Sequence, residues 1–300
     1  MIGKKIRLSG GFHNDIFYIE GEEVVERIPK KKRKSKEMVL QEIEWMDFLY
    51  KNGVSVSKPK LNLVETEGQV KAYFEFIKGE PIDVTNKSHW NSKNFKEFGR
   101  ILGRMHRLSK EFKVGIIYRP VWTNENPDVF DIRDHLSQEI KDIYDSLMGE
   151  LFSMKRSEET YGLIHNDFHQ GNMIISDEGI VTIIDFDECS FNWFAQDIAV
   201  FFYHAYWQQV SFNEFTETFY QEFLKHFFAG YQSENSLHID VIRQIPVFLK
   251  LREIYLYQLF LQEWDRNHME EWQTITLIDL EDKIKSRVQY AGINDFSPFI

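Results

Sequence analysis

Cysteine is almost missing from this chain of 300 residues: Cys189 stands alone, so an internal disulfide is excluded and a reducing compartment is expected. Nowhere do about 18 apolar residues follow one another, which argues against a membrane-spanning helix. The opening MIGKKIRLSGG lacks the apolar centre of a signal peptide, so cytoplasmic placement is the expectation. No His and Cys cluster has zinc-ligand spacing, and no internal repeat or low-complexity tract is present. Positive charge is also scarce, with 36 Lys and Arg against 47 Asp and Glu and a net charge of −11. That shortage is uneven. Up to Lys78 there are 15 basic and 12 acidic residues, and beyond it 21 and 35, so the longer part should attract cationic partners more readily than anionic ones.

What is present is ordinary globular material, 43% hydrophobic and 28% charged, in a length that suits two lobes. Its most informative stretch is HNDFHQGNMIISDEGIVTIIDFD, residues 165 to 187. Asp167 and Asn172 stand at D-x-x-x-x-N spacing, and Asp185 follows after two apolar, β-branched runs, Met173 to Ser176 and Ile180 to Ile184, separated by Asp177-Glu178-Gly179. Such runs around a Gly-bearing turn predict a hairpin that returns Asp185 beside the Asp167 loop. Phosphoryl transfer asks for this set: a carboxylate to orient and deprotonate a hydroxyl, and hard oxygens to hold Mg²⁺. Asp167 is the candidate base; Asn172 and Asp185 are the candidate metal ligands.

The segment His165 to Asn172, with Ile184 to Asp187 and the later Gln196-Asp197-Ile198-Ala199, resembles the aminoglycoside phosphotransferase and choline kinase-like family of small-molecule kinases. The resemblance implies a two-lobe, protein-kinase-like α+β fold with a small β-rich N-lobe (1–78) and a larger helical C-lobe (79–300). It implies ATP or GTP with Mg²⁺, and a small-molecule alcohol as acceptor. His165 is expected to brace the catalytic loop, Asp187 to assist the metal or orient its loop, and Asp197 to support the loop structurally.

In the front of the chain, Gly10 and Gly11 precede two short strands, Ile16 to Ile19 and Val24 to Ile28, where backbone amides can approach phosphate oxygens. Strand alternation places Val25 and Arg27 on one face, an apolar contact beside a phosphate-gripping cation. Protein kinases carry Lys here, and Arg grips phosphate differently. A helix from about Glu37 to Lys51 repeats apolar residues at Val39, Ile43, Met46 and Tyr50, and the family's strand-helix spacing selects Glu42, over Glu37 and Glu44, as the partner of Arg27. The resemblance also points to the Glu75 carbonyl and Ile77 amide as adenine-reading groups in a linker. The basic run KKKRKSK, residues 30 to 36, has no interleaved aromatics and reads as a solvated loop, so no nucleic-acid partner is expected.

Beyond the linker, Phe95, Phe98, Leu102, Met105 and Leu108 predict a helix from about Asn94 to Ser109, with His106 packed or hydrogen bonded. Further helices are expected near Ala195 to Gln209, Phe212 to Ala229 and Asp240 to Trp264. Glu253, Glu263, Asp265, Glu270 and Glu271, among Tyr255, Tyr257, Trp264 and Trp272, read either as a cation-binding wall or as a helix surface with buried aromatics. No G-x-G-x-x-G loop and no A-P-E segment occurs, which places a protein Ser/Thr kinase second. A catalytically silent nucleotide-binding protein is the other rival, and the presence of Asp167, Asn172 and Asp185 together weighs against it.

Overall fold

The computed structural model describes residues 4–8, 13–30, 34–66, 68–123, 134–214, 216 and 218–300. Gly10 and Gly11, proposed from sequence as a phosphate-covering turn, lie outside the described residues, as do residues 31–33 of the basic run.

The N-terminal part is a five-stranded antiparallel sheet with one helix on it. Strands β1 (Lys5–Arg7), β2 (Asn14–Ile19), β3 (Val24–Pro29), β4 (Pro59–Thr66) and β5 (Gln69–Glu75) take the order β1-β2-β3-β5-β4. Strand alternation is visible in β5, where Val70, Ala72 and Phe74 are buried and the residues between them are less so. Arg27 of β3 pairs across the sheet with Ile16 on one side and Ala72 on the other, which fixes the face it points to.

Helix α1 (Lys36–Lys51) starts at an N-cap, where the Ser35 hydroxyl accepts the Met38 N–H at 3.3 Å. It stops where Gly53 takes a φ of +78°. Val39, Ile43 and Met46 are buried as their spacing predicts, but Tyr50 is 44% exposed. Leu49 and Trp45 fill the core instead, and the Tyr50 ring lies under the Lys58 ammonium, 5.1 Å away.

The C-terminal part begins with β6 (Glu80–Pro81), which pairs with β8 (Met173–Ile175), and is built mainly from helices: α2 (Ser92–Glu111) and α3 (Gln138–Ser153) precede β7 (Tyr161–Ile164). The expected hairpin is present as β8 and β9 (Val181–Ile183), antiparallel, and β7 pairs with β10 (Ser190–Trp193). Then come α4 (Phe194–Phe212), α5 (Phe219–Gln232), α6 (Ile239–Glu263) and α7 (Glu271–Ser286). Phe212, expected to open a helix, closes α4, and the next helix starts at Phe219. From Ile198 to Ala205 α4 is buried on every side, which marks it as the central helix of the bundle.

Helices α2 and α5 cross backbone against backbone. A Cβ on Gly99 would fall 1.9 Å from the Phe227 carbonyl oxygen, one on Gly103 2.4 Å from that of Tyr231, and one on Gly230 1.9 Å from that of Lys96. Only hydrogen fits there. Among the described residues no helix is long and apolar enough to cross a membrane.

Candidate active site

The catalytic loop is hung from a buried carboxylate. Asp197, in the first turn of α4 and fully buried, accepts the His165 N–H at 3.0 Å on one oxygen and the Asn166 N–H at 2.6 Å on the other. His106 approaches the same carboxylate at 3.3 Å and meets the Tyr231 hydroxyl at 2.9 Å on its other ring nitrogen. Burial lowers the His106 pKa against the pull of Asp197, so this ring is a neutral spacer, as packing alone suggested. The helix N-terminus helps carry the negative charge. Asn166 adopts a φ of +71°, a left-handed geometry that Asn tolerates better than most residues, and this turn presents Asp167.

His165 is fully buried, and its Nε2 lies 3.0 Å from the Ile184 carbonyl oxygen. The Ile184 N–H donates to the Asn172 carbonyl at 3.0 Å. These two bonds fasten the strand leading to Asp185 onto the catalytic loop. Asp185 itself takes a φ of +60° and ψ of +63°.

The Asn172 Nδ2 donates to the Asp167 carbonyl at 2.9 Å and to its carboxylate at 3.2 Å. With its amide nitrogen so engaged, Asn172 keeps Oδ1 as an acceptor, and with Asp185 it offers hard oxygens of the kind that Mg²⁺ prefers. The donor chemistry fits that metal. Asp185 opens into the cleft; its depth in the fold and the like charge of Asp187 push its carboxyl up to about 7 against the pull of Arg27. Asp187 goes the other way. It is buried, yet Arg27 at 3.6 Å, Lys34 at 2.9 Å and the Asn14 amide at 3.0 Å hold it below the usual carboxylate range. Lys34 is therefore not part of a solvated run, since it also pairs with Glu188 at 3.1 Å.

Arg27 and Glu42 make a two-pronged pair at 2.6 and 2.9 Å, both buried. The rival Glu44 faces solvent and Glu37 sits in the first turn of α1. Arg27, Glu75, Ile77, Asn172 and Asp185 all line one cleft of about 520 Å³, with Val25, Phe74 and Ile174 among its apolar walls. The Glu75 carbonyl accepts the Ser57 hydroxyl at 3.0 Å.

Two arginines escaped sequence reasoning. Arg119 is fully buried and donates to the carbonyls of Cys189 at 2.7 Å and Asp187 at 2.5 Å. The Gln41 side chain of α1 accepts the N–H groups of Tyr118 and Arg119 at 2.9 and 2.8 Å, so the same segment grips helix and metal loop. Arg252, from α6, reaches Asp167 at 2.8 Å. His169 lies 3.3 Å from the other Asp167 oxygen. Burial works to raise the Asp167 carboxyl, but His169 and Arg252 outweigh it and hold it well below its ordinary value. No periodic pattern marks either arginine.

The carboxylates once grouped as a cation-binding wall do not converge. Glu253 is buried with Lys250 at 3.3 Å, facing a cavity bordered by Ile143, Ile284 and Arg287 rather than Asp167. Glu270 caps α7 and Asp265 bonds His268, both exposed. Of the aromatic residues in that group, Tyr255 alone lines the small cavity beside Asp167.

The chain is similar to known small-molecule kinases. The chain is 32% identical over 283 residues to amicoumacin kinase of Bacillus subtilis (strain 168), covering 89% of this chain and 82% of that protein. A solved amicoumacin kinase, hAmiN in complex with AMP-PNP, Ca²⁺ and Ami, superposes with a TM-score of 0.87 at 25% identity over 99% of this chain and 92% of that one. A microcompartment-associated aminopropanol kinase shares the fold, with a TM-score of 0.71 at 17% identity over 96% and 93% of the two chains. The model of the phosphotransferase enzyme family matches residues 6–236, a span running from the first strand past the metal loop and the central helix, and the chain belongs to that family.

Proposed function

We propose that Asp167 orients and deprotonates the acceptor hydroxyl, that Asn172 and Asp185 hold the metal, and that Arg27, set by Glu42, grips the nucleotide phosphates. The overall activity is nucleotide-dependent transfer of a phosphoryl group to a hydroxyl of a small molecule. The observation that carries the residue assignment is the convergence of Arg27, Glu75, Ile77, Asn172 and Asp185 on one cleft, with Asp167 bonded to Asn172 at its edge. When bound, a Mg²⁺ nucleotide would supply the phosphoryl group, and its metal would neutralise charge on the phosphates. The chain's part is positional. Asp197 holds the loop, Asn172 steadies the Asp167 carboxylate, and Arg27, held by Glu42, would bring its guanidinium charge to the phosphate oxygens. Asp187, tied to Arg27 and Lys34, shapes the metal loop, and His165 braces it.

The division into lobes falls near Lys78 in this reading. It is supported by the sheet ending at Glu75 and by β6, two residues after Lys78, pairing with β8 of the catalytic region.

For the acceptor we favour amicoumacin or a related amine-bearing alcohol, on the strength of the 32% identical relative and the acidic balance beyond Lys78. The test is incubation with amicoumacin and Mg²⁺ with ATP or GTP, reading gain of one phosphoryl group by mass spectrometry. Transfer to neither amicoumacin nor small amino alcohols would sink this choice of acceptor.

A further inference from the structure

Beside Asp167 lies a cavity of about 40 Å³ lined by Trp122, Asn166, Glu188, Gln196, Arg252 and Tyr255. Its cation is fixed. One Arg252 nitrogen, Nη2, is shared between the Asp167 carboxylate at 2.8 Å and His204 Nε2 at 2.7 Å, and Cζ stands 5.1 Å above the Tyr255 ring. Burial, with His169 and Arg252 adding like charge, holds His204 well below its ordinary pKa, so its Nε2 is the acceptor in that bond. The His169 ring stacks on His204 with centroids 4.4 Å apart and keeps it in place.

Arg252 is only 6% exposed, yet among the described residues its buried Nε has no hydrogen-bond partner. A buried N–H on a cation without an acceptor is an unfavourable state that an incoming oxygen relieves. The cavity that Arg252 and Asp167 both line is about right for one small polar group. We propose that Arg252 is a specificity residue of the acceptor site, donating to an oxygen carried next to the hydroxyl that is phosphorylated: an amide or ester carbonyl, or a carboxylate. The fixed fork sets the distance between that oxygen and Asp167, so an alcohol bearing the carbonyl on the adjacent carbon is presented with its hydroxyl toward the carboxylate. Lysine would keep the charge beside Asp167 and lose the second donor.

This inference rests on Asp167 being the hydroxyl-side carboxylate. Its test uses a matched pair, 3-amino-2-hydroxypropanamide and 1-amino-2-propanol, which share an amino alcohol and differ by an amide against a methyl group. Titration calorimetry of the full chain loaded with Mg²⁺ and AMP-PNP reads binding, and turnover with Mg²⁺ and ATP reads KM and kcat. The amide should bind about 10- to 100-fold more tightly, the worth of one hydrogen bond to a charged donor. In Arg252→Lys and Arg252→Gln that ratio should fall to about one, through KM of the amide, with the KM for nucleotide unchanged as the sign that each variant is folded. Equal affinity of the two probes for the parent protein, no binding of either, or a preference that survives both variants overturns the assignment. Selective binding without turnover leaves Arg252 in this role and instead overturns phosphoryl transfer at Asp167.

Discussion

Arg119 Nη1 lies 3.8 Å from Glu42 Oε2, so the carboxylate that pairs with Arg27 has a second guanidinium behind it, and all three side chains are buried. Arg119 meanwhile donates to two carbonyls of the metal loop. One side chain therefore couples the helix that carries Glu42 to the loop that carries Asp185. Arg119→Lys should raise the KM for nucleotide by about tenfold or more while leaving binding of the acceptor alone, because a single ammonium cannot serve Cys189, Asp187 and Glu42 together. Steady-state kinetics with both substrates varied checks this; an unchanged nucleotide KM rejects the coupling.

Asp167→Asn should lower kcat by about 10²- to 10⁴-fold and leave nucleotide binding nearly intact, since the amide keeps the shape and loses the proton acceptor. Near-normal turnover would remove Asp167 from the base role.

The metal assignment separates two aspartates of one hairpin. Asp185→Ala should abolish transfer and weaken Mg²⁺-dependent nucleotide binding, whereas Asp177→Ala, in the turn between β8 and β9, should change neither by more than about twofold. Similar losses at both positions would show that the fold, not the metal, was being measured.

If Asp185 holds the metal as proposed, proton and metal compete for it. With its carboxyl pushed up to about 7 in the metal-free site, the proton is retained through the window between the ordinary carboxylate range and neutrality. Mg²⁺ must displace it there, so metal affinity should fall by up to about tenfold per pH unit below about 7 and level off above it. Asp187, held down by Arg27 and Lys34, stays charged throughout that window. Mg²⁺ titrations of nucleotide binding between pH 5.5 and 8.5, about the span that brackets the transition, give the slope directly. A flat profile contradicts the raised carboxyl.

Removing the loop's anchor should cost both fold and activity. Asp197→Ala leaves two backbone N–H groups and His106 without their partner in a fully buried place, and should destabilise the protein by about 3 kcal/mol or more. Denaturant unfolding measures it, and a loss below about 1 kcal/mol would mean that water substitutes for the carboxylate.

Much of the candidate site was legible because its parts are local. Asp167, Asn172 and Asp185 sit within one loop and one hairpin, and Arg27 follows from a two-residue alternation. Glu42 needed the family's spacing, because Glu37 and Glu44 share its helix. Arg119 and Arg252 could not be read: one lies in an irregular segment, the other on a helix whose charged and apolar residues show little separation, and each gains meaning only from a partner far away in sequence. The run from Ala195 through Phe228 is so rich in apolar residues that periodicity could not show the break after Phe212. Helix α7 escaped as well, for Trp272, Ile275 and Ile278 are exposed while Leu280 and Ile284 are buried, so its apolar residues do not mark a single face. The carboxylate wall failed because Glu253 and Arg252 are adjacent in sequence and so point to different sides of α6.

The crossing of α2 with α5 bears on how this sequence tolerates change. At Gly99, Gly103 and Gly230 the neighbour is main chain, which cannot swing aside as a side chain can, so even alanine must push two helices apart. Those helices carry His106 and Tyr231, the pair behind Asp197. A saturation library selected for activity should therefore show three positions, none contacting nucleotide or acceptor, at which a single residue survives, in a pattern easily mistaken for a second functional site.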